Sequence, residues 1–264
     1  MITETERAPQ HDVLLRATDL GRVFGGLRAV DGVSLRLERG RLHALIGTNG
    51  AGKSTLINLL SGEIAPSSGR IELGSHDITR WSQPRRALAG LGRTYQRNTL
   101  FAEFTVRENC RLAAQARHPR VWQWWQAADH CRYSLEAAQE AILRAGLHLH
   151  ADRIAGTLSH GQKRQLEIAM CLATRPQVLL LDEPLAGMGA EESERMLSLL
   201  EALSPDHAIL LVEHDMDAVF RVADHITVMV NGRVIASDTP ERVRHDPEVQ
   251  VAYLGEQAPA GETT

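Results

Sequence analysis

Eight consecutive residues have the types and the spacing of a phosphate-binding loop. Residues 47–54, GTNGAGKS, fit the pattern G-x-x-x-x-G-K-[ST]. Glycines let successive backbone N–H groups curl around a phosphate, and Lys53 adds a compact positive charge. Ser54 offers a hydroxyl to Mg²⁺. The alternative is a glycine-rich turn that fits by accident, but Lys53 is one of only two lysines among 29 basic residues.

The segments on either side are those that a phosphate loop needs. LHALIG (42–47) predicts a short buried strand, and KSTLINLLSG (53–62) has helical spacing. The helix directs its positive N-terminal end at the bound anion, and Lys53 serves the β- and γ-phosphates. We therefore predict a nucleotide site formed by Gly47, Asn49, Gly50, Ala51, Gly52, Lys53, Ser54 and Thr55.

Two carboxylates, Asp182 and Glu183, follow an apolar run further along the chain. Acids at the C-terminal end of a parallel strand lie in the crevice where α/β sheets bind ligands. We predict that Asp182 holds Mg²⁺ through water and that Glu183 orients or deprotonates an attacking water. The alternative is a solvated helix cap opened by these acids and Pro184. The phosphate loop upstream favours catalysis.

Buried strands must position these groups. QVLLLDE (177–183) and HAILLVE (207–213) are near-continuous apolar runs, typical of strands covered on both faces of a parallel sheet. Helix-patterned segments follow at 191–203 and 216–223. This alternation predicts an α/β fold with a mostly parallel sheet.

The remaining segments follow other patterns. LLRATDL (14–20) and VSLRLER (33–39) alternate apolar with polar residues, which predicts half-exposed antiparallel strands. RIELG (70–74) is predicted to be a further strand of the same sheet. Residues 105–175 are mostly helical in pattern.

The composition excludes several classes of function. A net charge of −4 gives no support to nucleic-acid binding. Cys110, Cys131 and Cys171 form no C-x-x-C pair, so we expect packing thiols rather than disulfides or zinc ligands. No apolar run approaches the roughly 20 residues of a membrane span, and the N-terminus lacks an apolar signal core. We expect a cytoplasmic chain whose membrane role comes through a partner.

A third motif narrows the family. In LSHGQ (158–162), the Ser159 hydroxyl, the Gly161 backbone and a predicted helix start can form an anion site. An ordinary N-cap would use the same geometry. The motif resembles the LSGGQ signature of ABC ATPases, which binds the γ-phosphate held by the opposite subunit. That resemblance implies this role for Ser159, Gly161 and Gln162.

Further positions match the same family in order. Phe24 corresponds to the aromatic residue that stacks on adenine, with core packing as the alternative. Gln96, in GRTYQR (92–97), matches the Q-loop glutamine, which contacts Mg²⁺ and water and faces the membrane partner; a surface loop residue is the alternative. His214 matches the switch histidine that contacts the γ-phosphate, although a lone histidine is usually structural.

Two positions depart from the family pattern. His160 replaces the first glycine of the signature. Gly189 stands where many members carry Asp or Asn in the D-loop, which leaves that contact across the dimer open.

The sequence around these motifs is similar to that of the ATP-binding subunits of branched-chain amino acid importers. Those importers also serve related polar solutes. The segments that carry this likeness are LFAEFTVREN (100–109), LSHGQKRQLEIAM (158–170), DEPLAGM (182–188), LLVEHDMDAVFRVAD (210–224) and PEVQVAYLGE (247–256). The resemblance implies an ATPase that uses ATP and Mg²⁺ on the cytoplasmic side of the inner membrane. It also implies permease subunits, a second ATP-binding subunit (a paralogue or a copy) and, indirectly, a solute-binding protein as partners, without nucleic acid.

The family's organisation predicts the domains. A RecA-like core with a mixed sheet and an antiparallel β subdomain would occupy residues 13–96 and 165–255. A helical subdomain with the signature would occupy 97–164. Residues 1–12 and 256–264 are expected to be loose tails.

Other functions of the same class are the alternatives. A chromosome-structuring ATPase would carry long coiled coils between its ATPase halves, and no sustained heptads occur here. A translation-associated ABC protein would carry two cassettes, and a P-loop kinase would lack the signature. The ATPase of an exporter or a lipid transporter stays open.

Two further features have no assigned role. Trp122, Trp124 and Trp125 could dock on the membrane partner or on lipid headgroups, and packing within the helical lobe is the alternative. His148 and His150 lack further ligands nearby and are interpreted as surface residues rather than a metal site.

Overall fold

The computed structural model describes residues 12–95, 100–117 and 132–254, which form two β-sheets with helices packed on them. In chain order the strands are β1 (Val13–Phe24), β2 (Leu27–Glu38), β3 (Arg41–Gly47), β4 (Ser68–Leu73), β5 (His76–Asp77), β6 (Leu91–Arg93), β7 (Val178–Asp182), β8 (Ala208–Val212), β9 (His225–Val230) and β10 (Arg233–Asp238). The helices are α1 (Lys53–Ser61), α2 (Gln83–Leu88), α3 (Val106–Arg117), α4 (Arg132–Arg144), α5 (His160–Ala173), α6 (Ala190–Leu203), α7 (Met216–Val222), α8 (Pro240–Arg244) and α9 (Pro247–Leu254).

The larger sheet has the strand order β10-β9-β3-β8-β7-β6, parallel except for β10. Every residue of β7 and β8 is buried, as expected for apolar strands covered on both faces. Leu45 in β3 pairs with Val212 in β8, and Val212 pairs with Asp182 in β7. The carboxyl ends of these three strands therefore lie along one edge of the sheet.

The smaller sheet is antiparallel, with the order β2-β1-β4-β5. Its strands alternate buried and exposed residues, so one face is apolar. Helix α1 lies between the two sheets, and its leucines share one apolar cluster with Leu15, Leu37 and Ile71. Because α1 begins directly after the phosphate loop, this packing fixes the loop against both sheets.

Helices α3, α4 and α5 form a helical part around small buried side chains, including Cys110, Ala138 and Ala141. The predicted fold class, an α/β fold with a mixed sheet, an antiparallel sheet and a helical part, is confirmed. The predicted boundary between 97–164 and 165–255 falls inside α5. This continuous helix belongs to both parts, since it packs on α3 and α4 and also contacts β6.

Cys110 and Cys171 are buried free thiols, and burial raises the pKa of each to about 12. Both are therefore inert packing groups at neutral pH, as predicted. Cys131 lies outside the described residues, as do the predicted tails apart from Asp12. Across the described ranges, no helix combines the length and the hydrophobicity that a bilayer span requires.

Candidate nucleotide site

The phosphate loop requires glycine at two positions because its backbone approaches neighbouring chain closely. A Cβ on Gly47 would lie 2.2 Å from the carbonyl oxygen of Met229, and one on Gly52 would lie 2.3 Å from that of Ala29. Gly52 also has a φ of 99°, in the left-handed region. The loop is therefore held between β9 and β2. Asn49 and Gly50 lie exposed in the loop, while Ala51 is buried.

Lys53 places its ammonium group inside the loop. Nζ donates to the carbonyl oxygens of Gly47 at 2.6 Å and of Thr48 at 3.0 Å, and the side chain is buried. The residue before α1 is a glycine, so no side chain caps the first turn. The helix N-terminus and the ammonium together make a concentrated positive potential. Ser54 is exposed and Thr55 half-buried in the same turn.

Asp182 ends β7 as a buried carboxylate whose Oδ1 has no hydrogen-bond partner among the described residues. Burial raises the pKa of Asp182, and the Arg93 guanidinium, 3.5 Å from Oδ2, opposes that shift. A buried carboxylate oxygen without a partner is costly unless a ligand satisfies it. Carboxylate and hydroxyl oxygens are the hard donors that Mg²⁺ prefers, so the chemistry of Asp182 and Ser54 fits such an ion.

Arg93, whose side chain is 7% exposed, is a residue that the sequence analysis did not identify. Its guanidinium donates to Asn58 Oδ1 at 2.6 Å, Ser61 Oγ at 2.7 Å and Glu63 Oε2 at 2.9 Å. Arg93 therefore links the phosphate-loop helix to Asp182. The available signal in the sequence was an arginine directly after a short apolar segment and close to Tyr95. Buried arginines are rare without acidic partners, so such an arginine indicates a nearby carboxylate.

Glu183 has a backbone conformation that is uncommon for a residue with a side chain. Its φ is 50°, a left-handed value that costs of the order of 1–3 kcal/mol. The backbone N–H donates to Val212 O at 2.9 Å, which ties this turn to the end of β8. The carboxylate stays partly exposed, with Oε1 4.0 Å from His214 Nδ1. Glu183 and His214 thus face each other at the carboxyl edge of the sheet.

Glu213 is a second carboxylate that the sequence analysis missed, although it stands in LLVEHD beside His214. It is buried, and its oxygens accept from the backbone N–H groups of Leu185 at 2.8 Å and of His214 at 3.3 Å. Burial raises the pKa of Glu213, and these two donors oppose the shift. Glu213 therefore joins the segments that carry Glu183 and His214.

The strand register brings most of the predicted residues to one edge. Gly47, Asp182 and His214 lie at or just after the ends of β3, β7 and β8, which are adjacent parallel strands. Glu183 and the loop helix lie at the same edge. This arrangement can hold a polyphosphate and a divalent cation beside a carboxylate that can accept a proton.

The signature residues form a separate site. Ser159 caps α5 with a capping box, in which Ser159 Oγ accepts from the Gln162 N–H and Gln162 Oε1 accepts from the Ser159 N–H. Gly161 is buried in the first turn. A cavity of about 320 Å³ lies here, lined by residues of α5, α6 and the segment after α4. The phosphate loop does not line this cavity.

His150 and His160 both contact groups around the signature. His150 Nε2 lies 3.0 Å from Gln162 Nε2. His150 is half-buried, whereas His148 is exposed. The departure His160 places Nε2 3.1 Å from the Ala186 carbonyl oxygen, which ties the signature to the D-loop. Gly189 precedes α6 without capping it, whereas the side-chain oxygen of an Asp or Asn there could accept from an N–H of the first turn.

Phe24 lies at the end of β1, with 43% of its surface exposed and the Arg22 guanidinium 4.6 Å from its ring centroid. The ring is not part of the buried apolar clusters of the described residues, and its stacking on adenine stays a prediction. The following strand contacts the phosphate loop through Ala29 and Gly52. Phe24 is therefore an exposed aromatic ring on the hairpin beside the loop.

Two predictions fall outside the described residues. Gln96 lies just beyond Tyr95, the last described residue before position 100. Trp122, Trp124 and Trp125 lie between the described ranges 100–117 and 132–254. Their roles stay predictions.

Two family models match the chain. One described as ABC transporter matches residues 30–186, and one described as branched-chain amino acid ATP-binding cassette transporter matches residues 233–259.

Relatives and solved structures are similar over most of the chain. The chain is 40% identical to the high-affinity branched-chain amino acid transport ATP-binding proteins BraF of Pseudomonas aeruginosa and LivG of Salmonella typhimurium. Each alignment covers 92% of this chain and 98% of the relative. A crystal structure of an ATP-binding cassette of an ABC transporter in its ADP conformation superposes with a TM-score of 0.82. It is 31% identical, over 92% of this chain and 99% of that one.

Proposed function

The chain belongs to the ABC transporter family as an ATP-binding subunit, an ATPase coupled to transport, and from this premise we propose that it powers import of branched-chain amino acids or related polar solutes. The likeness to two import subunits over nearly their whole length supports that substrate class. The observation that carries ATP hydrolysis is the common edge that holds the Lys53 loop, Asp182 and Glu183.

The proposed site assigns one task to each group. The loop N–H groups and Lys53 bind the β- and γ-phosphates, and Phe24 stacks on adenine. Ser54, Gln96 and Asp182 hold Mg²⁺, which neutralises developing charge on the phosphate oxygens when bound. The partnerless Asp182 Oδ1 supports this assignment.

Glu183 orients the attacking water and accepts its proton, because its carboxylate projects from a turn held by β8. His214, 4.0 Å from Glu183, contacts the γ-phosphate as a hydrogen-bond donor. Gln96 serves as the link between the site and the membrane partner.

Each chain supplies half of two sites in this proposal. Ser159, Gly161 and Gln162 face a nucleotide held by a second ATP-binding subunit, a paralogue or a copy. The N-terminus of α5 supports this, since a helix start attracts an anion and this one lies apart from the chain's own phosphate loop. ATP then joins the subunits, and the work delivered cannot exceed its affinity difference between closed and open states.

The complete system contains permease subunits and, indirectly, a solute-binding protein, with this chain peripheral on the cytoplasmic side of the inner membrane. Residues 13–96 and 165–255 form the ATPase core, and residues 97–164 form the helical subdomain that faces the permeases. The packing of α3 on α4 supports a separate helical subdomain.

One experiment tests the proposal at both levels. Affinity purification through a tag on this chain from membranes, followed by mass spectrometry, should recover permeases and a second ATP-binding subunit. Cells should take up labelled leucine with the wild-type chain and lose that uptake with Lys53→Ala. Leucine uptake that is unchanged by Lys53→Ala, or recovery of an exporter's membrane subunit, would overturn the proposed import function.

A further inference from the structure

Glu192, in the first turn of α6, touches the signature motif directly. Its Oε1 lies 3.1 Å from Ser159 Oγ, which is hydrogen-bond distance. A Cβ built on Gly161 would lie 2.7 Å from Glu192 Cδ and 2.8 Å from Oε1. The carboxylate therefore lies against the glycine surface and beside the serine hydroxyl, within the cavity of about 320 Å³ at this motif.

The Ser159 hydroxyl has one proton and is already engaged on both sides. Its oxygen accepts from the Gln162 N–H. Its single proton can be donated to only one acceptor at a time. In this structure that acceptor is the carboxylate of Glu192. An incoming phosphate oxygen would need the same proton and the same space beside Gly161.

Electrostatics make this a competition rather than a shared site. The N-terminus of α5 attracts one anion, and a carboxylate and a phosphate at the same donor repel each other. Arg195 of α6 also lines this cavity, but its guanidinium pairs with Glu191 at 2.6 Å. Glu192 is the residue of this helix start that faces Ser159.

We propose that Glu192 is a positioning residue that holds the signature serine in the place of a γ-phosphate and must be displaced when the second subunit's nucleotide docks. This inference rests on the proposed function of the signature. Glu192 thereby raises the ATP concentration at which the two subunits close. It does not take part in phosphoryl transfer, so it acts on closure and not on the chemical step.

The test uses the complex purified from membranes through a tag on this chain, with MgATP as the probe. Glu192→Gln keeps the size of the side chain and removes its charge. We expect the half-saturating ATP concentration to fall about tenfold, the effect of one charge-assisted hydrogen bond, while kcat changes less than about twofold. Glu192→Asp withdraws the carboxylate by one methylene and should shift the same value in the same direction.

Glu201→Gln is the matched control, because it removes the same charge from the same helix at a residue that does not line the cavity at the signature. It should leave the half-saturating concentration unchanged, and thermal unfolding of each variant shows whether it is folded. An unchanged or raised value in Glu192→Gln, or an equal fall in Glu201→Gln, overturns the inference. If Glu192→Gln does not fold, Glu192→Asp decides by the same criterion.

Ser159→Ala separates this inference from the proposed function. Ser159→Ala should lower ATP hydrolysis by the complex, because the second nucleotide loses a donor. If Ser159→Ala is silent, the signature role itself is wrong. If Ser159→Ala impairs hydrolysis and both Glu192 variants are silent, only the role of Glu192 is wrong.

Discussion

The buried carboxylate of Glu213 accepts a hydrogen bond of 2.8 Å from the backbone N–H of Leu185. Leu185 follows Glu183 in a turn, and Glu213 precedes His214, so one side chain joins the two segments that carry these groups. The same carboxylate also accepts from the His214 N–H at 3.3 Å. The relative position of Glu183 and His214 thus depends on a residue that is only 1% exposed.

Removing this carboxylate should loosen the site and the fold together. Glu213→Ala leaves the buried Leu185 N–H unpaired, which we expect to cost about 1–3 kcal/mol of unfolding free energy. ATP hydrolysis should fall because Glu183 loses its support. Glu213→Gln keeps an acceptor and should retain most of both, as measured by urea unfolding and by phosphate release. Equal unfolding free energies and equal rates of phosphate release in the two variants would contradict the role of the Glu213 side-chain oxygens as hydrogen-bond acceptors.

Arg93 should be essential for stability because it is the buried partner of several acceptors and of Asp182. Arg93→Met leaves the Asp182 carboxylate without its cation, and we expect a loss of about 3–5 kcal/mol in urea unfolding. Arg93→Lys keeps the charge but loses the planar fork, so an intermediate loss is expected. Arg85→Met is a control on α2, where the guanidinium stacks on Trp81. A loss in Arg93→Met no larger than in Arg85→Met would contradict the role of Arg93.

The buried His43 should make the protein less stable in acid. Burial and the neighbouring His225 lower the pKa of His43 to about 3 in the folded chain, against 6.5 for a free histidine. Below about pH 6.5, His43 binds a proton in the unfolded chain but stays neutral in the folded chain. The stability contribution is complete above pH 6.5 and is lost as pH falls towards 3, at about 1.4 kcal/mol per pH unit.

Urea unfolding between pH 7.5 and 4.5 measures this slope. His43→Gln should be less dependent on pH than the wild-type chain in this window, whereas the exposed His148→Gln should follow the wild type. The buried carboxylates Asp182 and Glu213, whose pKa values are raised, act in the opposite direction and are common to all three proteins. Parallel curves for wild type and His43→Gln would contradict the assignment.

Local sequence patterns predicted the elements that carry the site. The strand expected at 42–47 is Arg41–Gly47, and the helix expected at 191–203 is Ala190–Leu203. The first is a nearly continuous apolar run, and the second has apolar residues at helical spacing. Three-residue β6 is too short to show periodicity, and it is stabilised by pairing with β7. The hairpin of β9 and β10 was also not predicted, although Asn231 and Gly232 form the Asn-Gly turn typical of hairpins.

The residues that support the site were not predictable in the same way. Arg93, Glu192 and Glu213 are charged residues in ordinary sequence surroundings, and their contacts join segments far apart in the chain. Whether such a charge is buried depends on packing between elements, which no local pattern contains. Phosphate loops differ because backbone geometry restricts both residue type and spacing.

Lys53→Ala should abolish tight nucleotide binding without unfolding the chain. The variant removes the ammonium that lies within the loop and bonds the carbonyl oxygens of Gly47 and Thr48. We expect ATP affinity to fall at least about tenfold, as for loss of a charge-assisted hydrogen bond. Lys163→Ala, which removes the other lysine, is the control. Titration with a fluorescent ATP analogue measures both, and equal affinities would contradict the cradle role of Lys53.

The central claim is that the phosphate loop and the acidic pair act on one Mg·ATP, and Glu183→Gln tests it most directly. This variant should bind Mg·ATP as the wild type does and hydrolyse it at least about a hundredfold more slowly, because the proton acceptor is lost. Its structure with Mg·ATP should show the γ-phosphate at Lys53 and the metal between Ser54 and Asp182. Wild-type turnover, or a nucleotide bound away from these residues, would contradict the account.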